Sequence, residues 1–156
     1  MRYALLTIAF LLVNPWTAVG QIDPELFGAM SARSIGPAGM SGRVGSVDAV
    51  ASNPNIIFVG AATGGLWKSV DGGLTWDPIF DDQPASSIGA VAVNQSNPDI
   101  VWVGTGEGNP RNSAGVGRGI FKSMDGGDTW VHQGLENSER IHRIVLDPTN
   151  PNVAYA

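Results

Sequence analysis

Two stretches of this chain are nearly the same, and no other feature constrains its fold as much. One reads Lys68-Ser69-Val70-Asp71-Gly72-Gly73-Leu74-Thr75-Trp76, the other Lys122-Ser123-Met124-Asp125-Gly126-Gly127-Asp128-Thr129-Trp130. Both contain the octet S-x-D-G-G-x-T-W. Asp-Gly-Gly is a turn signal: the Asp side chain accepts backbone N–H groups across a tight turn, and glycine reaches positive φ at little cost. Apolar runs precede each turn (Gly65-Leu66-Trp67 and Gly119-Ile120-Phe121), and the strand formers Thr and Trp follow it. Each octet is expected to be a β-hairpin stapled at its turn, with the Trp folded against the hairpin's base. Turn-stapling, rather than catalysis or metal binding, is the role expected of Asp71 and Asp125.

The duplication extends beyond the octet. Val44-Gly45-Ser46-Val47 matches Ile88-Gly89-Ala90-Val91 and then Ile141-His142-Arg143-Ile144. Ser52-Asn53-Pro54-Asn55 matches Ser96-Asn97-Pro98-Asp99 and Thr149-Asn150-Pro151-Asn152. Ile56–Gly60 matches Ile100–Gly104 and Val153–Ala156. The first spacing is 44 residues and the second 53, the excess falling between Gly104 and Gly119. A repeat of this length with four strand-like segments has the size of a propeller blade. In the first repeat the strands are expected at about Val44–Val50, Ile56–Ala61, Gly65–Val70 and Thr75–Phe80. The second is a solid apolar run, which suits a strand covered on both faces. The first is rich in Gly, Ala and Ser, which suits crowding near an axis.

The expected fold is therefore an all-β propeller of four-stranded antiparallel blades, a fragment of about two and a half. Blade 1 is expected at 44–80, blade 2 at 87–134 and the start of blade 3 at 141–156. Residues 21–43 form an N-terminal segment able to supply a ring-closing strand. Propellers close with four to eight blades, so the sequence reads as an N-terminal piece of a longer protein. The end blades of such a piece are expected to leave apolar faces open.

Met1–Gly20 reads as a signal peptide: Arg2, an apolar stretch from Ala4 to Val13, then Ala18-Val19-Gly20, with cleavage before Gln21. The apolar run is shorter than the roughly 20 residues a membrane span needs. Secretion or a periplasmic location is expected, with no membrane span after cleavage. The absence of cysteine excludes disulfides and thiolate metal sites. The net charge of −5 and the mere two lysines, each preceding an octet, leave no basic stripe for nucleic acid.

Catalytic patterns are scarce. There is no G-x-S-x-G elbow. His132 and His142 lack metal-ligand spacing, and neither a metal nor a cofactor is expected. Gly104-Thr105-Gly106-Glu107-Gly108 leads into Asn109-Pro110 rather than a helix start, so it fails as a dinucleotide loop. The inserted loop, Gly104 to Arg118, is the exception. It joins the second and third strands of blade 2, on the face opposite the octets. Glu107, Arg111 and Arg118 sit there among glycines and amides and are candidate ligand-binding residues. The alternative is a solvated loop in which Glu107 and Arg111 pair with each other. Asp81, Asp82, Glu136, Glu139 and Arg140 are lesser candidates on the same face.

The octets resemble the Asp box, or BNR repeat, of sialidases, xyloglucanases and sortilin-type proteins. Its members here are Ser69, Asp71, Gly73, Thr75 and Trp76, with Ser123, Asp125, Gly127, Thr129 and Trp130 in the second copy. Arg33-Ser34-Ile35-Gly36-Pro37, Gly42-Arg43-Val44, Gly64-Gly65-Leu66-Trp67-Lys68 and Gly104-Thr105-Gly106-Glu107 extend the likeness. Together they resemble large exported bacterial proteins similar to the N-terminal propeller of sortilin, often labelled glycosyl-hydrolase-like. The resemblance implies a module that binds a protein, peptide or glycan outside the cytoplasm, or alternatively a glycoside hydrolase. Similar xyloglucanases place a catalytic acid just after the second strand of the first blade. Here that stretch is Ala61-Ala62-Thr63-Gly64-Gly65, without a carboxylate. The Arg-Ile-Pro of sialidases is also missing: Arg140-Ile141 is followed by His142. Any catalytic residues are thus expected in further blades and are not assigned here.

Overall fold

The fold follows from which faces of each strand are apolar. The computed structural model describes residues 43–109 and 112–156, all within one compact unit. The expected signal peptide, residues 21–42 of the N-terminal segment, and Arg111 lie outside the described residues. Strands β1 (Val44–Ala49), β2 (Ile57–Ala61), β3 (Leu66–Ser69) and β4 (Asp77–Pro78) form one antiparallel sheet in that order. Strands β5 (Ile88–Val93), β6 (Val101–Thr105), β7 (Ile120–Ser123) and β8 (Val131–Gly134) form a second. Strands β9 (Val145–Leu146) and β10 (Ala154–Tyr155) begin a third. The three are fragments of propeller blades, and the described residues contain no helix.

The register repeats along with the sequence. Val47 faces Val59 in the first sheet and Val91 faces Val103 in the second. Both inner pairs carry a bulge at the equivalent place, between Val44 and Ser46 and between Ile88 and Ala90. The Asn-Pro turns close identically three times: Val50 N–H to Ile56 O, Asn94 N–H to Ile100 O and Asp147 N–H to Val153 O, at 2.9–3.0 Å. In the second turn Asn94 is buried, and its carbonyl accepts the Ser96 and Asn97 N–H groups. That side chain is structural in this turn, although Asn94-Gln95-Ser96 fits a glycosylation sequon. The outer strand β4 is shorter than the expected Thr75–Phe80. The octet turn still occupies Thr75, and Pro78, which has no N–H, limits the ladder at a sheet edge.

The period-2 alternation of β5 and β6 explains their unbroken apolar runs. Val91, Val93, Val101 and Val103 face the first sheet and close a core with Phe58, Leu66, Phe80 and Ile88. Ala90, Ala92, Ile100 and Trp102 point the other way and pack against Ile141 and Ile144 at the start of the third repeat. Each large apolar side chain buried this way contributes roughly 1.5–3 kcal/mol. The first sheet has no neighbour on its far side among the described residues. Val44 and Val47 of β1 are accordingly 55% and 58% exposed.

Inner strands approach one another closely. A Cβ on Gly89 would stand 2.2 Å from the Gly106 carbonyl oxygen and 2.5 Å from that of Ile141, so only glycine fits there. Side chains also cross between sheets. The Ser46 hydroxyl accepts the Val91 N–H and the Asp48 carboxylate accepts the Val93 N–H, both at 2.8 Å. The otherwise unpaired edge of β5 is thus satisfied by its neighbour. At the equivalent positions of β5 stand Ala90 and Ala92, which are spent on packing instead.

Candidate functional site

Each octet folds around its serine. The Ser69 hydroxyl accepts the Gly73 N–H at 2.8 Å and donates to Asp71 Oδ1 at 2.8 Å. Asp71 in turn accepts the Thr75 N–H at 2.9 Å and the Thr75 hydroxyl at 2.6 Å. Ser123, Asp125, Gly127 and Thr129 repeat the network. Gly73 and Gly127 have φ of 93° and 103°, a region closed to most side chains. The tryptophans differ. Trp76 donates its ring N–H to Gly73 O within its own turn, at 3.0 Å. Trp130 donates to Ile79 O of the preceding sheet, at 2.7 Å, and meets Phe80 edge to face. The lysines reach the opposite way: Lys68 Nζ bonds Gly126 O in the next octet, and Lys122 Nζ bonds Asn152 in the third repeat. An octet therefore ties one sheet to the next as well as closing its own hairpin.

These carboxylates carry a pH prediction. The Thr75 hydroxyl, then the Thr75 N–H and the Ser69 hydroxyl, lower Asp71 from the ordinary 3.8 to about 2. Hydrogen bonds from Ser123 and Thr129 hold Asp125 lower still. A depressed folded-state pKa gives stability that is complete above the unfolded value and is lost as pH falls through the folded one. Urea midpoints recorded from pH 6 downward should be insensitive to these groups until about pH 4 and then decline steeply. In Asp125→Asn that acid-side decline should be shallower. An unchanged slope would mean the turn carboxylate is not linked to folding.

The inserted loop opens on the opposite face, where its base is firmly built. The Thr105 hydroxyl donates to Gly119 O at 2.7 Å and accepts the Arg118 N–H at 2.6 Å. Gly106 N–H bonds Ser87 O, and Gly117 N–H bonds Glu139 O. Glu107 is 1% exposed and ion-paired with Arg43 of the residues preceding β1, whose side chain is 38% exposed. Glu107 is not a solvated loop charge: its described partner is Arg43, 64 positions away in the chain. The second carboxylate oxygen of Glu107 and Arg43 Nε are buried without a hydrogen bond. A cleft of 130 Å³ lies beside Glu107, lined also by Gly45, Gly89, Asn109 and His142.

Arg118 stands at the loop's other end with its side chain exposed. His132 Nε2 lies 2.9 Å from Arg118 O and stacks its ring against the edge of Phe121. Its Nδ1 faces Glu136 at 3.8 Å. Arg118, His132 and Glu136 line a 510 Å³ groove that also receives Gln83, Pro84 and Trp130. His132, together with Gln83 and Pro84, escaped sequence reasoning, because nothing in their spacing links them to the loop. Asp81, Asp82, Glu139 and Arg140 are exposed and do not line this groove. Among the described residues no group of three or more acidic or histidine side chains is placed to hold a metal ion.

Face-to-face stacking of up-and-down four-stranded sheets, with glycine-crowded inner strands, defines the chain as part of a β-propeller. Solved structures agree. A glycoside hydrolase family 74 enzyme from Niastella koreensis is 30% identical, with a TM-score of 0.50 over 64% of this chain and 15% of that one. An ancestral family 74 enzyme is 25% identical, with a TM-score of 0.56 over 72% of this chain and 16% of that one. The chain thus spans about one sixth of the length of the enzymes it matches. No family model matches the chain, and no curated protein does.

Proposed function

We propose that the chain belongs to an exported, sortilin-like propeller of the Asp-box type that binds a protein, peptide or glycan on its loop face. The observation that carries this reading is the Arg43–Glu107 pair. It buries the acidic group at the start of the long loop, while the Thr105 hydroxyl holds the backbone from which Arg118 projects. A carboxylate held by an arginine in this way is a positioning group. It is not free to act as the acid or base of a hydrolysis that needs two such groups flanking one bond. Arg118 then offers its guanidinium group to a ligand, while Glu107 holds the loop; Arg111 remains a candidate on its place in the sequence. Export is supported by the sequence of Met1–Gly20.

A second reading is a carbohydrate-active hydrolase of the xyloglucanase or sialidase kind, whose acidic residues stand in other blades. It is favoured by the likeness to two family 74 enzymes. The two readings separate in one experiment. The secreted protein is incubated with xyloglucan, with sialyl-lactose and with an immobilised peptide library, and both retention and release of reducing sugar are measured. Retention without product is the expected result. Reducing sugar released in proportion to enzyme would establish the hydrolase, and neither retention nor release would overturn both.

A further inference from the structure

We infer that the cleft between the inner strands of the second and third sheets is a site for a carboxamide group, the main-chain or side-chain amide of a peptide. Asn94 and Leu146 are its donors and Asp147 is its acceptor. The inference goes beyond the loop-face reading, because this cleft is bordered by the Asn-Pro turns, which stand at the octet end. There the Gly126 N–H of the second octet bonds Asp99 O of the second turn. At 320 Å³ the cleft falls within the range of small-ligand sites.

The cleft stands where the repeat breaks its own pattern. Ser46, Asp48 and Val50 of the first repeat align with Ala90, Ala92 and Asn94 of the second, so polar and apolar positions are exchanged. At the first junction the Asp48 carboxylate accepts the Val93 N–H at 2.8 Å. The counterpart of that N–H at the next junction belongs to Leu146. Asp147 N–H bonds Val153 O, so the adjacent pair, Leu146 and Ala154, is a non-hydrogen-bonded one and the Leu146 N–H turns away from β10. The methyl group of Ala92 cannot accept it as Asp48 accepts Val93. The Leu146 N–H has no acceptor among the described residues, and Ala92 and Leu146 both line the cleft.

Asn94 supplies the second donor, and its neighbours fix the orientation of its amide. It is 4% exposed, and its Oδ1 accepts the N–H groups of Ser96 and Asn97, both at 2.9 Å. Only the oxygen can accept them, so the NH2 is the free end. It too lines the cleft without an acceptor among the described residues. A buried donor left unpaired costs stability, and a bound acceptor relieves that cost. On the facing wall Asp147 Oδ1 takes the Thr149 N–H, the Thr149 hydroxyl and the Asn150 N–H, which leaves Oδ2 without a partner. Asp48, also at the rim, has both oxygens spent, on Ala49 N–H and Val93 N–H. Two carboxylates beside the donors disfavour an anion, so the acceptor the cleft takes is neutral. A carboxamide oxygen has one lone pair for Asn94 and one for Leu146, and its N–H suits Asp147 Oδ2. Ile144 and Pro148 give the apolar wall for the attached carbons.

The test uses the full isotope-labelled chain and three capped tripeptides, with Gln, Ala or Glu between two alanines. The readout is the NMR signals of the Asn94 side-chain NH2 and the Leu146 N–H. Both should shift saturably with the Gln peptide. Equal binding of the Ala peptide would make the main-chain amide the ligand, and its failure to bind would make it the side-chain carboxamide. Asn94→Asp should weaken binding about tenfold at an unchanged melting temperature. The turn survives that change, since Asp147 accepts the equivalent N–H groups in the third repeat. Ala92→Asp, which gives this junction the carboxylate that Asp48 gives the first, should abolish binding. No saturable shift with any of the three peptides would overturn the inference, and so would binding that survives either substitution. Tighter binding of the Glu peptide than of the Gln peptide would replace the amide with an anion and overturn it too. Each of these failures leaves the loop-face reading standing.

Discussion

Replacing Arg43 with alanine should cost the protein more stability than replacing its partner Glu107. The asymmetry follows from their exposure. Glu107 is 1% exposed and Arg43 is 38% exposed. Removing the arginine leaves a buried carboxylate uncompensated, a change that costs about 3–5 kcal/mol. Removing the glutamate leaves a guanidinium that can turn into water, so the loss is nearer that of one charge-assisted hydrogen bond, about 1.5–3 kcal/mol. Glu107→Gln should lose least of the three, because the amide keeps its shape and can still accept one bond from Arg43. Urea denaturation of the three variants checks the order. Equal losses for Arg43→Ala and Glu107→Ala would mean that the carboxylate is not buried as described. The pair also anchors the inserted loop, so protease cleavage between Gly108 and Arg118 should accelerate in Arg43→Ala before the rest of the chain unfolds.

The sequence was most legible where partners lie close together in the chain. The octet turn is built from Ser69, Asp71, Gly73 and Thr75, all within a few residues, so its hydrogen bonds follow from residue type and spacing. The double-faced burial of β6 was legible too, since Val101-Trp102-Val103 offers no polar face to solvent. What joins the sheets was not legible. Arg43 and Glu107, Ser46 and Val91, Lys68 and Gly126, and Trp130 and Ile79 are 64, 45, 58 and 51 positions apart. No local period marks any of them. One signal was present in retrospect: Ser46 and Asp48 stand where the second repeat has Ala90 and Ala92. A polar residue on an otherwise apolar inner strand needs a partner, and the neighbouring strand's open N–H groups are the nearest candidates. The candidate site suffered in the same way. Glu107 was found from the loop's composition, but its burial depends on Arg43, and His132 enters the groove only through the fold.

The central claim is that the second octet clamps its sheet to the one before it, and Trp130 tests this most directly. Trp130→Ala removes an edge-to-face contact with Phe80 and the bond to Ile79 O. For a half-buried aromatic the expected loss is about 3 kcal/mol, the low end for aromatic truncation. Trp76→Ala, whose N–H serves its own turn, should lose clearly less. The decisive measurement is a double-mutant cycle between Phe80→Leu and Trp130→Leu, read by urea denaturation. A coupling of about 0.5–1.5 kcal/mol, the range for an aromatic pair in contact, is the predicted result. Strict additivity, with Trp76→Ala as damaging as Trp130→Ala, would contradict the stacking of these two sheets.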